Sequence, residues 1–160
     1  MGKHQMKWNG GDLSASSSAF KHGERMPDAH SNNGTGVSPQ ISWSDVPEGT
    51  TSFAVVCNDM DAPVIDGFTH WVVYGIPADV RELPEGGGSE YTQGVNSMGQ
   101  PGWLAAAPPS GHGTHFYHFH VYAIGNNLEL EPGLSFADLK AKIDPDVINQ
   151  ARIVGSYSNA

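Results

Sequence analysis

The sequence predicts a mostly-β domain that ends in one or two helices, and three observations carry that reading. Twenty glycines and eleven prolines in 160 residues favour short strands joined by irregular loops over a helical bundle. Four segments read as strands by alternation or by β-branched and aromatic content. Helix-start signals gather only near the C-terminus. No internal repeat or long linker divides the chain, so a single domain is expected over residues 1–160.

The elements follow in order. "QISWSDV" (40–46) sets Ile41 and Trp43 against Ser42 and Ser44, the alternation of a half-buried strand. "TSFAVVCND" (51–59) is apolar on both parities, which predicts a central strand covered on both faces. "THWVVYGI" (69–76) is a third strand, stopped at Pro77, and "THFYHFHVYAI" (114–124) is the longest and is expected to be central. "SFADLKAKI" (135–143) predicts a helix with Ser135 as N-cap and Asp138 at the third helical position. "DPDVINQARI" (144–153) predicts a second helix, with Asp144 as N-cap and Pro145 at the first helical position, where a missing N–H is harmless. "SNNGTGVSP" and "EGGGSE" are loops within the domain. Trp43, Phe53 and Trp71 are expected in the core.

Charge and cysteine usage narrow the function classes. Seventeen acidic residues against eight Lys and Arg give a net charge of −9, which opposes binding to nucleic acid or to an anionic membrane surface. A bound anion therefore needs a local pocket. The single cysteine, Cys57, sits in an apolar run and reads as a small buried hydrophobe; it excludes an intramolecular disulfide. The N-terminal "MGKHQMKWNGGDL" lacks the apolar stretch of a signal peptide, and no run reaches the ~20 apolar residues of a membrane span, so a cytoplasmic setting without membrane insertion is expected.

The chemistry-bearing residues gather at strand ends. Asp59 and Asp61, in "NDMDAP", point to one face if the chain stays extended up to Pro63. His70 opens the next strand and His115 the long one, where Tyr117 shares its face while His118 and His120 take the other. Three readings stand at this point. His70, His115 and Asp59 supply ligands for a metal-dependent lyase or hydrolase. Paired carboxylates suit acid/base work, although Ser110 has nothing to orient it as a nucleophile. Imidazole and phenol are also donors to an anion, with aspartate fixing the imidazole tautomer.

"SPQISWSDVPEGTTSFAVVCNDMDAP", "FTHWVVYGIP" and "GHGTHFYHFHVYAI", in that order and spacing, resemble the phosphatidylethanolamine-binding proteins, a family that includes the Raf kinase inhibitor proteins, and most nearly its shorter bacterial and archaeal branch. The resemblance runs from about Phe20 to Tyr157. It implies two antiparallel β-sheets and a small anion pocket formed by Asp59, Asp61, Pro63, Phe68, His70, His115 and Tyr117. It also implies a phosphate or phosphoethanolamine ligand with no metal or cofactor, no catalysis, a kinase or protease partner, a homodimer, and a cis Ala62–Pro63 bond. Two departures stand out. Phe116 occupies a position where many relatives carry arginine, removing a cation near the pocket, and "GWLAAAPPSG" replaces the usual Gly-Pro-x-Pro-Pro of the pocket's loop wall.

Overall fold

The computed structural model describes residues 12–160, so the N-terminal segment read above lies for the most part outside the described residues. Among the described residues, eight strands form two antiparallel sheets. The chain runs β1 (Ser14–Ser16), β2 (Ile41–Ser44), β3 (Ser52–Asp59), β4 (Phe68–Pro77), β5 (Glu82–Leu83), β6 (Thr92–Gln93), β7 (His115–Ile124), helix α1 (Phe136–Ile143) and β8 (Val147–Tyr157). The small sheet has the order β1-β2-β5 and the large one β6-β4-β3-β7-β8.

β3 is central and buried along its length because each of its parities meets a different core. Phe53, Val55 and Cys57 face the small sheet and pack with Trp43, Trp71, Phe119 and Ile153. Ala54 and Val56 face the other way, under Leu139 and Ile143 of α1. Trp43, Phe53 and Trp71 are core residues as expected, and Cys57 is fully buried. That burial, and secondarily the nearby Asp59 carboxylate, pushes its thiol well above the usual range.

α1 begins as expected, with the Ser135 side chain accepting from the Asp138 N–H. The second helix does not form. Asp144 is the C-cap of α1, and Asp144–Asp146 makes one 3-10 turn before the chain becomes β8. The reason is tertiary. β8 pairs with β7 from His115↔Tyr157 to Ile124↔Val147, satisfying an edge that a helix would leave open. Its buried residues Val147, Asn149, Ile153, Gly155 and Tyr157 recur at even spacing, the period of a strand. Among the described residues no helix is long and apolar enough to cross a membrane.

Candidate functional site

Register carries the expected residues to one end of the large sheet. Asp59 closes β3 opposite Phe68 of β4 and opposite Tyr117 of β7. His115 lies two residues before Tyr117 and so shares its face. His70 arrives by a different route. The β3–β4 register shifts between Cys57↔Trp71 and Asn58↔Thr69, leaving His70 as the extra residue of a bulge. The bulge lets adjacent His70 and Trp71 both reach the inter-sheet side, where both lie beside the Trp103 ring.

Asp59, Pro63, Phe68, His70, His115 and Tyr117 line one cavity of about 330 Å³. Its far wall is the loop of the atypical "GWLAAAPPSG" stretch, through Leu104, Ala105, Ala107, Pro108 and Pro109. That wall is pinned in place. The Leu104 N–H donates to the His70 carbonyl (2.9 Å), the Ala106 N–H to the His30 carbonyl (3.1 Å), and the Asn159 amide to the Pro108 carbonyl (2.9 Å).

Polar partners set the state of each ring. His70 Nδ1 donates to the Leu104 carbonyl at 2.7 Å, which leaves Nε2 as the ring's remaining polar atom. Burial lowers the His70 imidazole below the ordinary histidine value, against the raising influence of the Leu104 bond and of Asp59. His115 Nδ1 donates to Asp59 Oδ2 at 2.7 Å, with both residues almost wholly buried. Tyr117 is buried beside the His70 ring, and desolvation, then the Asp59 carboxylate, pushes its phenol far up, so it remains a neutral donor.

Asp61 does not share the Asp59 face. β3 ends at Asp59, and Asp61 sits in the following turn, exposed. The two carboxylates build that turn instead. Asp59 Oδ1 accepts the Asp61 N–H (2.8 Å), and Asp61 Oδ2 accepts the Phe116 N–H (2.8 Å), tying the turn to the start of β7. No peptide bond among the described residues is cis, so the expected cis Ala62–Pro63 bond is absent. The turn closes with a trans bond, through the Asp61 contact and a Val64 N–H to Ala62 carbonyl bond of 2.8 Å. Phe116 is 41% exposed, on the sheet face away from the cavity. His118 and His120 lie on that face too, stacked in a row with Tyr122 and Phe136.

Two features escaped the sequence reading. His112 Nδ1 lies 2.6 Å from His115 Nε2, extending the Asp59–His115 pair to the surface. Its signal is the "GHGTH" spacing, with Gly111 (φ 74°) and Gly113 (φ 91°) in the left-handed region on either side. The second feature is an apolar rim. Of the large apolar side chains exposed among the described residues, Val64 and Met98 line the cavity, Met60 and Ile65 on the same turn line a neighbouring groove, and Phe116 faces away from the cavity.

The family model for phosphatidylethanolamine-binding protein matches residues 16–158. The chain belongs to that family. Like this phosphatidylethanolamine-binding protein family member, a UPF0098 protein of Aquifex aeolicus is similar along most of its length, 44% identical over 149 residues and covering 88% of this chain and 85% of the relative. Escherichia coli YbhB is 37% identical over 155 residues, covering 89% and 98%. Among solved structures, a phosphatidylethanolamine-binding protein homologue from Chlamydia trachomatis superposes with TM-score 0.87 at 33% identity, covering 92% of this chain and 98% of its own. Escherichia coli YbcL gives 0.85 at 33%, covering 92% and 99%. The two-sheet fold expected from the sequence is therefore the family's fold.

Proposed function

We propose that the cavity binds a small phosphorylated head group, phosphate or phosphoethanolamine, and releases it unchanged. The observation that carries the reading is the convergence of three side chains on one cavity, the Tyr117 hydroxyl as donor, His70 Nε2 as acceptor from a protonated oxygen or ammonium of the head group, and His115 held between Asp59 and His112. Asp59 serves by fixing the His115 tautomer and by accepting from an ammonium on a zwitterionic ligand. Asp61 serves by holding the turn that carries Pro63 and Phe68. The apolar rim favours a head group carried on a lipid over free phosphate, because the exposed Val64 and Met98 side chains stand in the cavity's own lining. A kinase or protease partner, a homodimer and a cytoplasmic setting extend this reading through the family alone.

The metal-dependent lyase or hydrolase alternative gains nothing from the geometry. Both His115 nitrogens are engaged, by Asp59 and His112, and His70 Nδ1 is held by a carbonyl. Among the described residues no three His, Cys, Asp or Glu side chains are grouped as metal ligands.

Asp59→Ala and His115→Ala are each expected to abolish phosphoethanolamine shifts in an NMR titration while the spectrum stays that of a folded chain. Undiminished shifts in both variants would sink the site assignment.

A further inference from the structure

The cavity contains an acid and no permanent cation. Its lining includes the buried Asp59 carboxylate but neither lysine nor arginine. An anion entering it stands beside a like charge in an apolar enclosure, where the repulsion is only weakly screened. Something must supply positive charge as the anion arrives.

The groups facing His115 narrow the source. β3 presents Asp59, β4 presents His70, and β7 presents Tyr117. β8 presents Tyr157, opposite His115, whose hydroxyl donates to Asp28, itself paired with Arg25 at 3.3 Å. The turn after β3 presents Asp61, already accepting from Phe116. The loop before β7 presents His112. Imidazole is the one side chain among these that gains a positive charge near neutral pH.

His115 and His112 are arranged to accept that charge without breaking the site. Because His115 Nδ1 donates to Asp59, its Nε2 is the valence that meets His112 Nδ1. In the neutral pair the His112 Nδ1–H donates across this 2.6 Å contact. A proton added from solvent to the exposed His112 makes an imidazolium with the same donor still in place. Transfer across the contact puts the charge on His115, at the cavity wall, and leaves the Asp59 bond intact. Only N–H bonds form or break.

We propose that the cavity takes up its anion together with a proton, which enters at the exposed His112 and is shared across the His112–His115 contact. This rests on the anion reading above. It makes His112 a positioning residue for charge, outside the cavity, and it makes affinity a function of proton supply.

Calorimetry with sulfate tests it, since sulfate does not titrate near neutrality and any proton taken up is taken by the protein. Titrations just above neutral pH, in buffers of different ionisation enthalpy, are expected to give uptake of roughly one proton per sulfate, with affinity falling about tenfold per pH unit. His112→Asn, whose amide nitrogen takes the place of Nδ1 and still donates to His115, is expected to melt as the wild type does while losing most of the uptake and the pH slope. Heats independent of the buffer overturn the inference, as does undiminished uptake in His112→Asn, which would place the proton on His70 or on His115 alone. No binding heat from sulfate or from inorganic phosphate at any pH overturns the anion reading and this inference with it.

Discussion

Asp59 and His115 show how single residues are held in an environment that disfavours them. A buried carboxylate is costly unless its lone pairs are satisfied, and Asp59 accepts from the Asp61 N–H with one oxygen and from His115 with the other. Removing one partner of such a pair typically costs about 3–5 kcal/mol, because the other charge is left stranded. Loss of binding in His115→Ala is therefore to be read alongside its unfolding curve. His120 shows the opposite management of charge. Burial, followed by the neighbouring His118, lowers its value from 6.5 to about 4, and its Nδ1 has no partner. Above 6.5 both folded and unfolded chains hold this ring neutral, and its full contribution to stability is present. As pH falls from 6.5 to about 4 only the unfolded chain gains the proton, so stability is lost across that window. The loss is roughly 3 kcal/mol at about 1.4 kcal/mol per pH unit of separation. Urea unfolding is expected to show a smaller loss over this range in His120→Phe than in the wild type; equal losses would contradict the assignment.

At the scale of elements, the turn between β3 and β4 is what sets the cavity mouth. Gly67 has φ +73°, and a Cβ there would lie 2.7 Å from the Asp59 carbonyl oxygen. Gly67→Ala is expected to destabilise the fold by about 1–3 kcal/mol and to weaken phosphoethanolamine binding, since the strain falls on the residue that holds His115. Unchanged melting and affinity would mean the turn relaxes freely. The elements also explain what was legible in the chain. β2, β3, β4, β7 and α1 announced themselves by period and cap. β1, β5 and β6, of two or three residues, are too short to alternate. β8 was hidden by the Asp-Pro start, a local helix signal that the open edge of β7 overrode. In the site, parity placed Asp59, His115 and Tyr117 correctly, because they lie in regular strand. It misplaced Asp61, which follows the strand's end, and it gave no account of how His70 reaches the same side as Trp71, because that depends on a bulge. His112 lies in a loop, where no period exists to place it.

For the whole molecule, the net charge of −9 and the apolar rim act in opposite directions. The global field repels anionic surfaces within about a Debye length, roughly 10 Å at 0.1 M salt, while the rim attracts apolar chains at contact. A single lipid with a zwitterionic head fits that combination better than an anionic bilayer does. Replacing Val64 and Met98 by serine is expected to lower affinity for a lysophosphatidylethanolamine several-fold, while leaving free phosphoethanolamine within about twofold; equal losses for both ligands would remove the rim from the account. The central claim is that the cavity among Asp59, His70, His115 and Tyr117 is the ligand site. Its most direct test is amide shift mapping of the wild-type chain titrated with phosphoethanolamine. The account predicts saturable shifts centred on Asp59, His70, residues 104–107 and residues 115–117. Shifts centred instead on the groove that Tyr122, Phe136, Ile143 and Val147 line between α1 and β8, or none at all, would contradict it.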